Sequence, residues 1–465
     1  MLSTKIICTI GPACDSPEML EQLADVGMNI ARLNFSHGTH ESHGRIIGCI
    51  RELNAQRRFP TAILLDTQGP EIRTGKLGLD LAAGDRIRVT TPPDEEREGE
   101  LFVNYPHLAE QVEVGGSIIA DSGLVKLRVL EKDDSALRCE VLDPGTLTAR
   151  RHINLPGIAV KLPSITERDR EDILFGLEQG VEGIALSFVR SADAIREVRD
   201  LLGQQGERIK LIAKIENQEG VDNLEEIVAE ADGIMVARGD LGIEVAMEEV
   251  PQIQRRIAYL CATHGKRFIV ATQLLESMIE NPVPTRAEVT DIANAVYEQA
   301  DAIMLSGETS TGKHPLRCVE TLVRVARRTE AFPGVRYTEK QQKTSNRQHL
   351  AQAATTIATD LRMRGIVSIT RYGRGAMYLS NWRPRSLGIY AFTNHEDVYR
   401  GMVFNRGVTP FLLEDFSNNP EVNIPNALQR LKDKEGFETG EQVLVFADIF
   451  TREGYVNSMQ IRTIP

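Results

Sequence analysis

Eight short apolar runs, each ending in small or polar residues and most followed by an amphipathic segment, constrain this chain's fold more than any other feature. They are Lys5–Ile10, Asn29–Leu33, Ala62–Asp66, Gly183–Phe188, Lys210–Ile215, Gly233–Ala237, Arg267–Ala271 and Ala302–Leu305. Helical spacing lies between them at Pro17–Asp25, Ser191–Leu202, Asp222–Glu230, Val250–His264 and Glu288–Gln299. Strands alternating with helices imply a parallel sheet, either a closed (β/α)8 barrel or an open doubly wound sheet. The strand ends separate the two. They read Thr9-Ile-Gly-Pro12, Arg32-Leu-Asn-Phe-Ser-His37, Asp66-Thr67, Ser187, Lys214-Ile-Glu216, Arg238-Gly-Asp240, Thr272-Gln273 and Ser306-Gly-Glu308. Polar groups at nearly every C-terminal end fit a barrel, whose site lies on that rim. An open sheet would gather them at one switch point.

Two regions break the beat. Between about Gly69 and Lys161 the chain has short β-like runs (Asp85–Thr90, Ser117–Ala120, Val125–Leu130), turn clusters and an acidic tract, Pro92–Glu100, that reads as a solvated loop. This predicts a small β-barrel domain inserted over the active rim. Past the polar linker Thr338–Gln348, a helix at Leu350–Leu361 and strands at Gly365–Ile369 and Leu387–Phe392 predict a C-terminal α/β domain. The predicted limits are 1–69 and 162–335 for the barrel, 70–161 for the insertion and 345–465 for the last domain. A length of 465 residues, with 42% hydrophobic content, accommodates these cores.

A net charge of −12 argues against general nucleic-acid binding, so any phosphate site must be a local cluster of cations. The six cysteines are widely spaced with no C-x-x-C pair, which predicts free thiols in a reducing cytoplasm, with Cys8 and Cys261 as inert core residues. The chain enters a strand at Lys5, leaving no room for a signal peptide. No apolar run approaches the ~20 residues of a membrane span. The histidines other than His37, including His43 and His152, read as surface residues.

The chemistry concentrates in two segments. Lys210-Leu-Ile-Ala-Lys214-Ile-Glu216 places Lys214 and Glu216 on one face of a buried strand, because side chains alternate with period two. Asp232-Gly-Ile-Met-Val-Ala-Arg-Gly-Asp240 repeats the design, with a carboxylate after an apolar strand. A lysine and carboxylate at a buried strand end cost desolvation. They make chemical sense as a phosphate-binding lysine beside a metal-binding glutamate. Mg²⁺ commonly takes one or two carboxylates and completes its shell with water and phosphate. With Arg32 and Arg73 as further phosphate cations and the insertion as a lid, the set fits phosphoryl transfer, which depends on positioning and charge neutralisation.

At these residues the chain resembles the pyruvate kinase family, and the resemblance runs along nearly its whole length. The segments Ala31-Arg-Leu-Asn-Phe-Ser-His-Gly38, Leu65-Asp-Thr-Gln-Gly-Pro-Glu-Ile-Arg-Thr-Gly75 and Val270-Ala-Thr-Gln-Leu-Leu-Glu-Ser-Met278 carry it alongside the two above. The resemblance implies phosphoryl transfer from phosphoenolpyruvate to ADP, giving pyruvate and ATP, through a metal-bound enolate that is then protonated. It implies Glu216 and Asp240 as ligands of Mg²⁺ (or Mn²⁺), and Asn34, Ser36, Asp66 and Thr67 as a K⁺ site. Lys214, Arg73 and Thr272 take catalytic roles. Arg32, Lys214, Gly239, Asp240 and Thr272 bind substrate, with Gly239 lacking a Cβ where the backbone approaches it. Asn34, His37, Arg73 and Arg168 lie on the nucleotide side, and Ser306 joins the hydroxyl network near Thr272. Glu71 stands where members that need potassium carry glutamate, which predicts potassium activation. A cytoplasmic, allosteric homotetramer is also implied.

Departures from the family pattern are specific. Gln68 and Arg168 stand where lysine is usual, which predicts altered nucleotide affinity with retained chemistry. In the C-terminal domain, Ser368-Ile-Thr-Arg-Tyr-Gly-Arg-Gly-Ala376 runs from strand to loop to helix, a natural phosphate-binding turn. Thr370, Arg371, Gly373 and Arg374 form the candidate effector set. Tyr372 and Gly375 replace the usual hydroxyls, and the last loop, Phe450–Asn457, lacks Gly-rich character. A sugar monophosphate, a nucleotide and no effector all stay open. Two rival readings are a barrel lyase or aldolase acting on pyruvate or oxaloacetate, and a non-catalytic paralogue that binds without turnover.

Overall fold

A computed structural model describes residues 2–92, 95–133, 136–417, 419–451 and 454–465. In it the eight apolar runs close into a parallel barrel. In chain order the strands are β1 (Lys5–Thr9), β2 (Ile30–Asn34), β3 (Ala62–Asp66), β4 (Gly183–Leu186), β5 (Lys210–Ile215), β6 (Gly233–Ala237), β7 (Arg267–Ala271) and β8 (Ala302–Leu305). β8 returns to β1 through Lys5↔Ala302 to Cys8↔Leu305, which removes both sheet edges. Strands β1, β3, β6, β7 and β8 are buried along their whole length, as expected when helices cover the outer face and side chains fill the interior.

Local chemistry explains most helix starts. Ser16 accepts a hydrogen bond from the Met19 amide ahead of Pro17–Val26, and Thr166 and Asp169 form a reciprocal cap at Glu167–Glu178. Three sequence readings need correction. The helix predicted at Asp222–Glu230 is two pieces, Gln218–Asp222 and Leu224–Glu230. Asn217 caps the first through the Gly220 amide, and Asn223 interrupts at φ −91°, ψ 16° while its side chain donates to the Arg190 carbonyl. The helix predicted at Glu288–Gln299 runs Arg286–Tyr297, because Thr285 caps it two residues earlier through the Glu288 amide. Arg238 to Asp240, read as a polar tail after a strand, is the first turn of helix Arg238–Glu244.

The chain between β3 and helix Glu167–Glu178 forms a curled seven-stranded sheet with its own core, including Val89, Tyr105, Ile118, Leu127 and Val141. A bridge between Thr74 and Val103 brings the ends of the curl together. In the acidic tract Pro92–Glu100, Pro93 and Asp94 lie outside the described residues. From Asn346 onward, helices cover a five-stranded sheet whose order is Val408–Leu412, Gly388–Thr393, Gly365–Ile369, Gln442–Thr451 and Gly454–Thr463. The last two strands pair antiparallel from Gln442↔Thr463 to Thr451↔Gly454. Most of the run predicted as the loop Phe450–Asn457 is therefore strand, and its Arg452 and Glu453 lie outside the described residues.

The C-terminal domain also completes the barrel. Val403 and Phe404 enter the interior cluster formed by Ile7, Leu64, Ile212 and Met235. Phe404 plugs the end where the strands begin. A Cβ on Gly183, the first residue of β4, would lie 2.8 Å from the Phe404 ring, so the plug requires glycine there. The opposite end is left for the polar residues.

Candidate active site

Lys214 ends β5 pointing into the mouth of the barrel. Its ammonium donates to Ser187 Oγ at 2.6 Å and lies 3.1 Å from Asp66 Oδ1 and 3.0 Å from Glu216 Oε1. Burial works against its charge, but the carboxylates of Asp66 and Glu216 prevail and hold its pKa well above the ordinary lysine value. Asp66 is fully buried. Burial opposes its ionisation, yet Arg32 and Lys214 hold it below the usual carboxylate range. The Arg32 Nε–Asp66 Oδ2 contact is 2.6 Å, and Arg32 Nη1 donates to Thr9 Oγ1 at 3.0 Å. Four strands thus contribute to one buried network.

Glu216 receives the Phe188 amide on Oε2 at 2.7 Å. Burial pushes its carboxyl up to about 7, Lys214 opposes that shift, and the charge of Asp240 adds to it. Three carboxylates (Asp66, Glu216, Asp240) here face two cations (Arg32, Lys214). The site is short of positive charge, which a divalent ion would supply. Among the described residues no group of three or more His, Cys, Asp or Glu forms a metal cage. Glu216 and Asp240 are an oxygen pair of the kind Mg²⁺ takes when substrate completes its shell, so the donor set fits the ion.

Backbone strain marks the same rim. Thr272 (φ 66°), Gln273 (φ 57°) and Phe188 (φ 53°) adopt left-handed conformations without being glycine. Such residues cost about 1–3 kcal/mol each and persist only where the surroundings enforce them. Thr272 Oγ1 accepts the Gly239 amide at 2.9 Å and donates to the Ala271 carbonyl at 2.6 Å. Arg238 donates to the Thr272 carbonyl at 2.6 Å and to Asp291 at 2.7 Å. The turn after β7 is thereby fixed to the helix that carries Gly239 and Asp240.

The remaining candidates lie around this centre. Asn34 and Asp66 are register partners at the ends of β2 and β3. Thr67 Oγ1 accepts the Ser187 amide at 3.2 Å, and Asn34 Oδ1 accepts the Ser36 amide at 3.3 Å. Arg73 is half-buried and pairs with Glu71 at 2.5 Å, while its Nη1 donates to the Arg150 carbonyl at 2.8 Å. Gln68 links the two rim groups, accepting from Arg168 at 2.7 Å and donating to Glu71 at 3.1 Å. Arg168 also donates to the Phe35 carbonyl at 2.8 Å. His37 is exposed, and Ser306 is half-buried with its amide on Glu308.

Two histidines differ from their surface reading. His43 is buried, stacked on Phe35 at 4.1 Å, with Nε2 on the His37 carbonyl. His152 is half-buried against Phe188, because its strand pairs with Ile72–Arg73 over the rim. All six cysteines are free, and Cys8 and Cys261 are fully buried. Burial pushes the Cys261 thiol up to about 12.

Sequence reasoning did not select Ser187 or Arg238 as site residues. A serine at the end of β4 was the available signal for the first. Arg238 also stood at a strand end, but its clamping role rests on partners 34 and 53 positions away. The effector candidates lie far from this centre. Thr370 is buried, Arg371 lies over Phe416, and Gly373 and Arg374 face the underside of the barrel.

Comparison with known proteins places this geometry in context. The family model described as "Pyruvate kinase, barrel domain" matches residues 1–319, and "Pyruvate kinase, alpha/beta domain" matches residues 348–462. The pyruvate kinase of Clostridium perfringens is 40% identical over 478 residues, covering all of both chains. That of Geobacillus stearothermophilus is 44% identical, covering 87% of this chain and 70% of its own. Plastidial pyruvate kinase 2 of Arabidopsis thaliana is 42% identical, covering 95% of this chain and 77% of its own.

Proposed function

Because this chain belongs to the pyruvate kinase family and has pyruvate kinase activity, we propose how its own residues carry the reaction. The reaction moves the phosphoryl group of phosphoenolpyruvate to ADP, giving pyruvate and ATP in glycolysis. The observation that carries the residue assignment is the buried Lys214, held by Asp66, Glu216 and Ser187 at the mouth of the barrel.

Lys214 stays protonated and neutralises charge on the phosphoryl group in flight. Glu216 and Asp240 hold Mg²⁺ or Mn²⁺, which when bound supplies Lewis-acid stabilisation and a template for substrate oxygens. Arg32 fixes Asp66 and sets the field on the substrate side. The Gly239 amide and Thr272 Oγ1, already bonded to each other, line the face where the enolate takes its proton, with Ser306 in the same network. Arg73 exchanges its contact with Glu71 for phosphoryl oxygens. Arg168 and His37 guide the nucleotide. Asn34, Ser36, Asp66 and Thr67 provide a K⁺ site.

The division into a barrel (1–69 and 162–335), a β lid (70–161) and a C-terminal domain (345–465) is part of this proposal. So are a lid that closes to exclude water, a cytoplasmic location, a homotetramer and an effector loop at Thr370, Arg371, Gly373 and Arg374. Among the described residues, no helix is long and apolar enough to cross a membrane.

The test measures pyruvate formation from phosphoenolpyruvate with and without ADP, in Mg²⁺ with K⁺, Li⁺ or tetramethylammonium. The expected result is ADP-dependent turnover that falls sharply without K⁺. Pyruvate formation independent of ADP would favour a cleavage enzyme. Equal rates in all three monovalent salts would remove the potassium site.

A further inference from the structure

Three candidate residues, Asn34, Ser36 and His37, lie at the end of β2 or on the loop that joins it to the helix His40–Gln56. The loop's own tip is poorly anchored. His37, Gly38 and Thr39 are exposed, and Gly38 takes φ 77°. Side chains from the two flanking helices hold it instead.

His43, one turn into the helix that follows the loop, is 7% exposed and stacks on Phe35, with ring centroids 4.1 Å apart and planes at 18°. Its Nε2 lies 2.8 Å from the His37 carbonyl. A carbonyl only accepts, so Nε2 carries the hydrogen. Nδ1 is then left buried with no partner among the described residues. Burial holds the His43 pKa below the ordinary histidine value, in keeping with a neutral ring. The second grip comes from the helix Glu167–Glu178. Arg168 and Asp172 are four residues apart and share one of its faces. Arg168 donates to the Phe35 carbonyl at 2.8 Å, and the buried Asp172 meets His40 Nε2 at 2.6 Å. His40 also stacks on Phe175 of that helix, with centroids 4.4 Å apart. The loop is therefore gripped at Phe35, His37 and His40.

Packing alone does not account for a histidine at position 43. A phenylalanine there would stack on Phe35 and bury no unpaired nitrogen. Leaving Nδ1 without a partner costs free energy, and the compensation visible in the structure is the Nε2–H bond to the loop. The loop is also fitted closely to that bond. A Cβ on Gly38 would lie 3.0 Å from both His43 Nε2 and Ser42 Oγ. Glycine is needed there for its backbone angle as well.

We infer that His43 is a positioning residue for the nucleotide: its Nε2–H fixes the His37 carbonyl and so orients the loop that presents His37, while Arg168 and Asp172 hold the loop on either side of it. The inference rests on the nucleotide-side reading of His37 and deepens it. His43 acts through the loop backbone and does not touch the nucleotide. Phosphoenolpyruvate, placed by Lys214, Gly239 and Thr272, lies outside its influence.

The experiment measures kcat and the KM values for ADP and phosphoenolpyruvate at saturating Mg²⁺ and K⁺, for the full chain and four variants. His43→Phe keeps the stack and removes the donor, so KM for ADP should rise about fivefold, the scale of one hydrogen bond, with kcat and KM for phosphoenolpyruvate within twofold. His43→Gln places an amide N–H at the same carbonyl and should restore KM for ADP to within about twofold of wild type. Gly38→Ala pushes the loop off His43 and should raise KM for ADP as His43→Phe does. Gly38 is exposed, so this variant tests the loop even if His43→Phe fails to fold. Equal effects of Phe and Gln at position 43, an unchanged KM for ADP in Gly38→Ala, or a parallel rise in KM for phosphoenolpyruvate would each overturn the inference. His37→Ala separates the two levels. If it raises KM for ADP while His43→Phe does not, only the positioning role falls. If it leaves KM for ADP unchanged, the nucleotide-side reading falls and this inference falls with it.

Discussion

The two ends of the same barrel bury charge in opposite ways. At the base, the charges of Arg383, Arg400, Arg406 and Lys5 meet fixed partners across the joint with the barrel. Arg383 pairs with Asp301 at 2.7 Å, both almost fully buried, and Arg400 pairs with Glu182 at 2.7 Å. Arg406 reaches Glu330 at 3.4 Å, and the Lys5 ammonium donates to the Val408 carbonyl at 2.7 Å. At the mouth, three carboxylates share two cations and strained backbone holds the groups in place. Matched charge makes a joint, whereas charge left short on one side leaves a candidate site with room for a counter-ion.

The largest expected effect lies at the mouth. Lys214→Met should lower kcat by about 10³-fold or more, since a preorganised donor to developing charge is lost in a dry site. It should also lower the melting temperature, because Asp66 and Glu216 lose their shared cation. A kcat within tenfold of wild type would break the contrast between the two ends.

Next is the joint. Arg383→Met leaves Asp301 buried and unpaired, a loss of about 3–5 kcal/mol, read as a lower midpoint of urea unfolding. Turnover per folded molecule should change less than about twofold. A large fall in kcat with unchanged stability would show that the base belongs to the catalytic machinery.

A smaller effect belongs to the rim. Gln68→Lys removes the acceptor that holds Arg168 and adds a cation, so KM for ADP should fall about fivefold, the scale of one hydrogen bond, with kcat unchanged. A matching change in KM for phosphoenolpyruvate would instead assign Gln68 to the substrate side.

A pH dependence is expected at the base. Burial, against the pull of Glu330, lowers the Lys5 pKa from 10.5 to about 8. Between those values the unfolded chain binds more protons than the folded one, so this group makes stability rise with pH. The melting temperature of wild type relative to Lys5→Met should therefore climb across that window. A flat or falling difference would show that Lys5 is not desolvated in the folded protein.

The barrel and the core of its site were legible because their signals are local. Apolar runs with polar ends specify strand and rim within a few residues, and period two alone placed Lys214 beside Glu216, which the structure finds 3.0 Å apart. What escaped was set by residues distant in sequence. Arg238 clamps a turn 34 positions on, and Ser187 meets Asp66 from 121 positions away.

The sequence by itself determined eight strand–helix units, their polar rim, the pairing of a lysine with a carboxylate at the candidate site and the family, because backbone periodicity and side-chain chemistry act over short spans. Only the tertiary structure decided how much charge each end leaves unmatched, which residues are strained, and that Phe404 from the last domain plugs the barrel. Those properties depend on burial and on partners brought together by chain closure, and neither exists until the barrel and its neighbour have packed.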